Sequence, residues 1–313
     1  MTEQNRFQIL SLDGGGLKGL FTAGFLTRWE ESENTRIVEH FDLITGTSTG
    51  GIIAISLGLG FSAREIRDFY LEEAEAIFPP SILGGLRHWT GVKYSSEGLR
   101  RALEKRFGTK RLGDSRSRLV IPAFSAKEQR IHLFKTPHHP RLRNDFKELA
   151  IAVAMATAAA PTYLEPLERE SGLTLVDGGV WANNPVMIGV AECLGYLQQP
   201  QQAISALRIG TTEAVARLDK HPDQGGKVQL AGPLIEYMMR GQMESAAAMA
   251  FHILGGERYV EVNPNVADGE FQMDRLSREL LGLADSQWRR ASSELGDKGF
   301  LQHRAAPYEP AHL

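Results

Sequence analysis

The stretch Phe41–Gly51 reads FDLITGTSTGG and decides which fold the rest of the chain can adopt. Phe41–Thr45 is a short apolar run that predicts a buried strand, and the residues from Gly51 onward predict a helix. Between them Ser48 stands in the pattern G-x-S-x-G, with Gly46 and Gly50 on either side. A strand that turns sharply into a helix at this pattern is typical of a nucleophile elbow, which holds a serine hydroxyl exposed at the sheet edge. We therefore predict that Ser48 is a nucleophile in an α/β protein.

A second glycine-rich segment lies closer to the N-terminus. Phe7–Leu12 predicts a buried strand, and it runs directly into Asp13–Gly19, DGGGLKG. Consecutive glycine amides at the start of a helix can donate hydrogen bonds to the oxyanion that forms when a serine attacks a carbonyl. The same glycines also fit G-x-G-x-x-G, the pattern of a dinucleotide-binding loop. That loop is normally followed by a second strand that ends on an acidic residue, whereas here the second strand ends on the Ser48 elbow, which favours an oxyanion hole.

A serine nucleophile needs a base, and the sequence offers Asp177. Leu173–Val176 predicts a strand that delivers Asp177 to a turn at Gly178 and Gly179, where another backbone or a substrate can approach closely. In an α/β-hydrolase triad a histidine follows the acid in the chain, but no histidine after Asp177 lies in a strand-end loop of that kind. An Asp within hydrogen-bond reach of Ser48 could accept its proton directly. A Ser-His-Asp esterase remains an alternative.

His138 and His139 lie before Asp177, in a loop bounded by Pro137 and Pro140. We interpret them as an exposed loop pair, because no cluster of Asp, Glu or His with ligand spacing adjoins them. The sequence therefore predicts neither a metal nor a cofactor.

Alternating strands and helices continue to about residue 215 and predict a three-layer α/β/α fold around a mostly parallel sheet. We assign residues 1–215 to a catalytic core and 216–313 to a helical C-terminal extension packed on the same domain. In the extension, Leu230–Leu254 predicts a long helix, Tyr259–Val262 predicts a short strand, and Phe271 begins a charged helix. Core packing of a helical cap is the favoured interpretation for most of its apolar residues, with a lid, a lipid-contacting face or a dimer seam as alternatives: Leu234, Tyr237, Met238, Met249 and Phe251. The remaining predictions are a capping box at Ser62 and Glu65, a loop at Pro79–Thr90, Asn184 as the N-cap before Pro185, and Ile204–Ile209 as the last strand of the series.

The composition excludes several classes of partner and location. The chain has 313 residues, a formal net charge of −3 and a pI near 6.3, values that favour no nucleic acid polymer as partner. Cys193 is the only cysteine, so no intrachain disulfide can form and a cytoplasmic location is expected. The N-terminus does not read as a secretory signal, and no apolar stretch approaches the roughly 20 residues of a membrane span. Any membrane contact is therefore expected to be peripheral.

Taken together, five stretches resemble the patatin-like phospholipase family, in that family's order. They are LSLDGGGLKG (10–19), FDLITGTSTGG (41–51), FKTPHHP (134–140), ATAAAPTYLEP (156–166) and DGGVWANNPV (177–186). The resemblance implies a patatin-like fold and a lipid acyl hydrolase that uses a Ser48–Asp177 dyad, with neither a catalytic histidine nor a metal. It also implies that the loop formed by Gly14, Gly15, Gly16, Lys18 and Gly19 makes the oxyanion hole. One departure is the stretch 156–159, ATAA, where the family often has a serine.

A narrower resemblance rests on FQILSLDGGGLKGLFTAGFL (7–26), HFDLITGTSTGGIIAISLGLG (40–60) and the short length. These features are similar to the bacterial patatin-like effectors of cyclic-oligonucleotide antiphage systems. That similarity implies an enzyme of antiviral defence that acts on membrane phospholipid and is activated by a cyclic dinucleotide. An ungated lipid acyl hydrolase, a nucleotide-binding module that uses the Gly14–Gly19 loop, and a homo-oligomeric state all stay open. Basic residues near the predicted loop could hold phosphates, although solvated surface charge is the simpler interpretation for each of Arg87, Lys93, Arg100 and Arg101.

Overall fold

The computed structural model describes residues 6–79, 92–169, 172–215 and 227–312. Its strands are β1 (Phe7–Leu12), β2 (Leu43–Gly46), β3 (Arg118–Ser125), β4 (Arg130–Lys135), β5 (Leu167–Glu168), β6 (Thr174–Asp177), β7 (Ile204–Ile209), β8 (Glu213–Val215), β9 (Tyr259–Val262) and β10 (Asn265–Ala267). Its helices are α1 (Gly19–Glu33), α2 (Thr49–Gly58), α3 (Ala63–Ile77), α4 (Glu97–Phe107), α5 (Ala150–Ala158), α6 (Gly179–Ala182), α7 (Val186–Gly195), α8 (Lys227–Leu254) and α9 (Glu279–Asp297). Nearly all of the predicted loop Pro79–Thr90, including Arg87, lies outside the described residues.

The main sheet is built around β1. Its strands follow the order β5-β6-β3-β2-β1-β7-β9. Strands β2 and β6 pair with different parts of one edge of β3, and β4 pairs with the opposite edge. The pairs from β3 through β2, β1 and β7 to β9 are parallel, whereas β4 and β6 run antiparallel to β3. Strands β8 and β10 form a separate two-stranded sheet. The predicted, mostly parallel central sheet is therefore confirmed.

Helices cover both faces of this sheet, because side chains of β1 are apolar on both sides. Ile9 belongs to a buried cluster with Val190 of α7 and Ala250 of α8. Leu10 and Leu12 belong to a larger cluster on the opposite face, which includes residues of α1, α2 and α5. A central strand with parallel neighbours is buried on both faces, and all six residues of β1 are buried here. The arrangement confirms the three-layer α/β/α prediction.

Several element boundaries differ from the predictions where tertiary contacts decide them. The capping box of α3 is confirmed, since Ser62 and Glu65 bond each other's backbone N–H groups. Helix α7 begins at Val186, later than predicted, although the Asn184 side chain still accepts the Val186 N–H at 3.1 Å. The prediction of a helix from Phe271 is wrong, because α9 begins only at Glu279. The preceding segment packs on the N-terminal glycine loop instead.

The C-terminal extension takes part in the main sheet. The predicted short strand Tyr259–Val262 is confirmed as β9, and it extends the series beyond β7, with which it pairs in parallel. The core-packing prediction is wrong for four residues of α8, which are 46–67% exposed: Tyr237, Met238, Met249 and Phe251. The opposite face of α8, with Ala246, Ala250 and Leu254, is the one that packs in the core. The side chain of Leu234 lies outside those described, and none of the described helices is long and apolar enough to cross a membrane. The division at residue 215 stays a prediction.

A buried chain of charges joins β1, β7 and β9. The Arg208 guanidinium donates to Asp13 Oδ2 from Nε at 2.9 Å and from Nη2 at 2.7 Å, and to Glu261 Oε1 from Nη1 at 2.6 Å. The side chains of Asp13 and Arg208 are fully buried, whereas that of Glu261 is 33% exposed. Because Asp13 directly follows β1, this chain fixes the start of the glycine loop to the sheet.

The buried ion pair generates a test of the fold. We expect Arg208→Met to lower the free energy of unfolding by about 3–5 kcal/mol, because the Asp13 carboxylate would remain buried without a partner. Urea denaturation at pH 7 measures the loss. Glu261→Gln is the control, and its cost should stay within about 1 kcal/mol because Glu261 is partly solvated.

A double variant separates the charge from packing effects. Adding Asp13→Asn to Arg208→Met removes the unpaired charge and should restore part of the lost stability. A double variant no more stable than Arg208→Met would show that the charge of Asp13 is not the cause.

Candidate active site

Ser48 lies in a strained turn between β2 and α2. Its backbone has φ 55° and ψ −123°, a combination that costs a non-glycine residue roughly 1–3 kcal/mol. Both flanking glycines are required by close packing: a Cβ on Gly46 would lie 2.2 Å from the Gly50 carbonyl oxygen, and one on Gly50 would lie 2.2 Å from the Leu12 carbonyl oxygen. Strain held by such packing is a feature of functional sites, and here it turns Ser48 towards a pocket.

Strands β2 and β6 bring Ser48 and Asp177 together. In the sheet register Thr45 of β2 pairs with Val120 of β3, and Asp177 of β6 pairs with Ala123 of the same strand. Since β4 occupies the other edge of β3, β2 and β6 share one edge and approach each other from opposite directions. Both strands end beside Pro122, which has no N–H for a ladder hydrogen bond. The residues that follow the two ends therefore face each other.

The Asp177 carboxyl is buried, with 4% of the residue exposed. Its Oδ1 accepts the Gly179 N–H at 2.6 Å. Burial raises the pKa of Asp177 to about 6, and the neighbouring Ser48 side chain and the Gly179 N–H partly oppose this rise. A carboxylate with a raised pKa is a stronger base than an ordinary aspartate, so the site makes Asp177 suited to accept a proton from Ser48.

Thr157 supports Ser48 from α5, and the sequence reasoning missed it. The Ser48 N–H donates to Thr157 Oγ1 at 3.0 Å, and the Thr157 hydroxyl donates to the Pro122 carbonyl at 2.6 Å. The Ser48 amide is therefore used inside the protein and does not face a substrate. A single hydroxyl in the otherwise apolar helix AIAVAMATA was the available signal.

The glycine loop Gly14–Gly19 lies next to Ser48, and its backbone N–H groups differ in whether they already donate to an acceptor within the protein. The Gly14 N–H donates to the Asn183 carbonyl at 3.1 Å, and the Lys18 N–H donates to the Gly15 carbonyl at 3.2 Å. The Gly19 N–H is used in the turn that starts α1. Within the described part of the chain, the N–H groups of Gly15 and Gly16 donate to no protein acceptor. These two amides are thus available to a bound group.

Lys18 points away from this pair of amides. Its Nζ donates to the Thr212 carbonyl at 3.3 Å. Burial lowers the pKa of Lys18, and the charges of Asp13 and Glu213 oppose that shift. Lys18 therefore contacts the residues after β7 in this arrangement.

An apolar pocket opens at Ser48. Together with the open space at its mouth it measures about 540 Å³. Among the described residues, the hydroxyl-bearing side chains on its wall other than Ser48 are Thr49, Tyr70 and Tyr163, and the hydroxyl groups of Thr49 and Tyr70 hydrogen-bond each other. Its apolar wall includes Ile52, Phe69, Ile77, Phe78, Leu99 and Leu164. Such a wall fits a hydrocarbon chain and leaves the hydroxyl of Ser48 at one end.

No histidine lines this pocket within the described residues. The prediction that His138 and His139 form an exposed pair is wrong, because His138 is buried and its Nε2 lies 2.8 Å from Glu192 Oε1. Burial lowers the pKa of His138, while Glu192 opposes the shift. In the described ranges no three His, Cys, Asp or Glu side chains cluster as a metal site would require.

Comparison with known proteins adds to this geometry. Residues 10–190 match the family profile described as patatin-like phospholipase. A cGAMP-activated phospholipase of Pseudomonas aeruginosa is 34% identical over 318 residues, which cover 97% of this chain and 94% of the relative. One of Vibrio cholerae with the same name is 36% identical over 227 residues, covering 66% of this chain and 63% of the relative. The crystal structure of VipD from Legionella pneumophila has a similar fold, with a TM-score of 0.52 at 13% identity over 94% of this chain and 67% of that one.

The geometry generates a test of the two reacting groups. We expect Ser48→Ala and Asp177→Asn each to reduce ester hydrolysis by roughly a thousandfold or more, and the double variant to be hardly worse than either single one. Hydrolysis of a p-nitrophenyl ester, followed by absorbance, measures the rates. Ser56→Ala is a matched control, because Ser56 is a buried serine of the same helix that bonds only the Ile52 carbonyl. Retention of most of the activity by Asp177→Asn would exclude Asp177 as the base.

The raised pKa of Asp177 predicts the pH dependence. The base must be ionised to accept a proton, so kcat/KM should rise with pH through about 6 and level off above pH 7. Initial rates between pH 4.5 and 9 measure this limb. A limb near pH 4 would contradict the burial argument.

The same pKa has a consequence for stability with a definite sign. The folded-state pKa of about 6 lies above the ordinary 3.8, so the buried carboxylate destabilises the fold above pH 6. The penalty disappears as the pH falls through 6 towards 3.8, and two pKa units correspond to about 3 kcal/mol. Asp177→Asn should therefore raise the free energy of unfolding at pH 8, and by less at pH 5. An equal effect at both pH values would contradict the raised pKa.

Proposed function

Because this chain belongs to the patatin-like phospholipase family, and is thus a lipid acyl hydrolase, we propose that it cleaves fatty-acyl esters of membrane phospholipids through Ser48 and Asp177. The observation that carries the proposal is the meeting of these two residues where β2 and β6 end, beside two unbonded glycine amides and an apolar pocket. A nucleophile, a base, oxyanion donors and an apolar wall suited to an acyl chain are then present together.

The proposed reaction has two halves. Asp177 accepts the proton of the Ser48 hydroxyl while the oxygen attacks the ester carbonyl, and the resulting oxyanion accepts hydrogen bonds from the N–H groups of Gly15 and Gly16. The lyso-lipid leaves as an alcohol with the proton returned by Asp177, and the acyl group stays on Ser48. Water then repeats the sequence, with Asp177 as its base, and releases the fatty acid.

Two features lower the barrier in this scheme. Helix α2 begins at Thr49, so its positive end faces the charge that develops near Ser48. Donors that are already in place cost nothing to organise during the reaction, and each such donor typically contributes roughly a hundredfold to a thousandfold in rate. The acyl chain would lie in the apolar pocket and exclude water from the reacting groups.

We further propose that a cyclic dinucleotide activates the enzyme and that it acts in antiviral defence. Support comes from the two relatives named cGAMP-activated phospholipases. Support also comes from a segment of the C-terminal extension over the pocket, where Met273 lines the wall and its carbonyl accepts the Leu17 N–H at 2.7 Å. A phospholipase that meets the cell's own membrane needs such a control. A hundredfold activation requires that the ligand bind the open arrangement about 2.7 kcal/mol more tightly.

The segment that covers the pocket contains Met273 and Asp274, and residues that follow the predicted loop Pro79–Thr90 hold it in place. Lys93 and the Tyr94 hydroxyl both donate to Asp274 Oδ2, the latter at 3.0 Å. Lys93 is therefore engaged within the protein, and Arg101 pairs with Glu97 on α4. Of the basic residues considered for phosphate binding, these two already have carboxylate partners. Binding residues for the nucleotide remain a prediction, as does a homo-oligomeric state.

The main rival is a nucleotide-binding module that uses the Gly14–Gly19 loop. The loop supports the hydrolase better, because Gly16, whose N–H bonds no acceptor among the described residues, lines the pocket of Ser48, and the Gly14 amide is already bonded to Asn183. A fluorophosphonate probe distinguishes the two, since it labels an activated serine and ignores a phosphate-binding loop.

The proposed activation by a cyclic dinucleotide can be tested with two measurements, lipid hydrolysis and nucleotide binding. We expect slow hydrolysis of phospholipid vesicles by the purified protein and a rise of about a hundredfold with one member of a cyclic dinucleotide panel. Mass spectrometry identifies the fatty acid and lyso-lipid products. Calorimetry on Ser48→Ala protein should detect the same nucleotide without turnover. Full activity without nucleotide, together with no binding to any member of the panel, would leave only the ungated lipid acyl hydrolase.

A further inference from the structure

The two unbonded amides belong to peptide groups that are held through their carbonyl oxygens. In a trans peptide the C=O and the following N–H point in opposite directions, so fixing one fixes the other. The Gly15 carbonyl shares a peptide group with the Gly16 N–H and accepts the Lys18 N–H, a contact within the same turn. The Gly14 carbonyl shares a peptide group with the Gly15 N–H, and residues distant in sequence hold it.

Thr211 and Asn183 are those distant residues. The Thr211 hydroxyl donates to the Gly14 carbonyl at 2.9 Å, and Asn183 Nδ2 donates to the same oxygen at 3.4 Å. Thr211 follows β7 and Asn183 follows α6, and both are buried, with 4% and 8% exposed. The Asn183 backbone carbonyl also accepts the Gly14 N–H at 3.1 Å. The peptide groups on both sides of Gly14 are thus held.

The loop also rests directly on these two side chains. A Cβ on Gly15 would lie 2.1 Å from Thr211 Oγ1, and a Cβ on Gly14 would lie 2.3 Å from Asn183 Oδ1. Glycine lets the backbone come close enough to form the hydrogen bonds to the Gly14 carbonyl. Loop and supports therefore fit as one packed unit.

Resting on the proposed hydrolase function, we infer that Thr211 and Asn183 are positioning residues of the oxyanion hole. They hold the Gly14–Gly15 peptide group so that the Gly15 N–H points at the oxyanion. Thr211 has the larger part because its hydrogen bond is shorter. Neither residue touches the substrate, and both act through the glycine backbone.

Loss of the Thr211 hydroxyl should change kcat and leave KM nearly constant. Without the Thr211 hydroxyl, the peptide group is free to rotate and its N–H leaves the direction of the oxyanion. The oxyanion exists in the transition state and not in the bound ester, so kcat should fall while KM stays nearly constant. The acid limb near pH 6 should not move, because Thr211 does not bond Asp177.

Three isosteric or conservative variants test this in the full-length chain. Thr211→Val keeps the shape and removes the hydroxyl, and we expect a fall in kcat of roughly 10- to 100-fold with KM within about threefold. Thr211→Ser restores a hydroxyl and should keep kcat within about threefold of the wild type. Thr27→Val is the matched control, because Thr27 is a buried threonine whose hydroxyl donates to the Ala23 carbonyl of its own helix at 2.7 Å and not to the glycine loop. Its kcat should stay near that of the wild type.

Asn183→Ala, with Asn184→Ala as its control, repeats the test from the other side of the loop. The Asn184 side chain donates to the Met243 carbonyl and has no bond to Gly14. Thermal melts show that each compared variant is folded. If Thr211→Val does not fold, the kcat of Asn183→Ala compared with that of Asn184→Ala tests the inference in its place.

Equal kcat in Thr211→Val and Thr211→Ser, an equal loss in Thr27→Val, or a raised KM at constant kcat would overturn the inference. A wild-type protein that hydrolyses no ester and resists the fluorophosphonate probe would instead overturn the proposed function.

Discussion

Strands β2 and β6 approach each other along one edge of β3 and both stop beside Pro122, and the candidate site depends on this meeting. In a sheet of purely parallel strands, the residues after neighbouring strands lie side by side at one edge. Here an antiparallel strand enters the sheet from the opposite side, so Asp177 faces Ser48 from across the gap. Thr157 then joins the Ser48 amide to the Pro122 carbonyl and ties the elbow to β3.

The C-terminal extension is part of the same construction. Strand β9 extends the sheet, and Glu261 on that strand completes the charge chain that holds Asp13 through Arg208. Met273 bonds the glycine loop at Leu17, and Met243 of α8 contacts Asn183 through its sulfur at 3.1 Å. Movement of the extension would therefore reach the oxyanion loop directly, which gives activation by a ligand a physical route without a separate relay.

The proposed base and nucleophile both lie in states that cost free energy. Ser48 has a strained backbone, and Asp177 is a buried carboxylate whose pKa is raised by burial. Each penalty serves the chemistry that we propose, because the strain directs the hydroxyl into the pocket and the burial makes the aspartate basic enough to act without histidine. The tightly packed glycines around Ser48 and the core on both faces of β1 are what hold these states in place.

Some elements of the structure could be predicted from the sequence because neighbouring residues specify them. The strand that ends at the elbow, the capping box of Ser62, the glycine loop after β1 and the alternation that makes three layers all depend on residues close together in the chain. The family motifs also directed attention to Asp177, although no local pattern places it against Ser48. The contact of Asp177 with Ser48 depends on the tertiary structure, because the register of β3 with both β2 and β6 brings the two residues together. The tertiary structure also decided which glycine amides stay unbonded, where Phe271–Arg278 runs, and which face of α8 is buried. The roles of Thr157 and Thr211 were missed for the same reason: a hydrogen bond between residues far apart in the chain leaves no periodic trace, and the lone hydroxyl of Thr157 in an apolar helix does not name its partners.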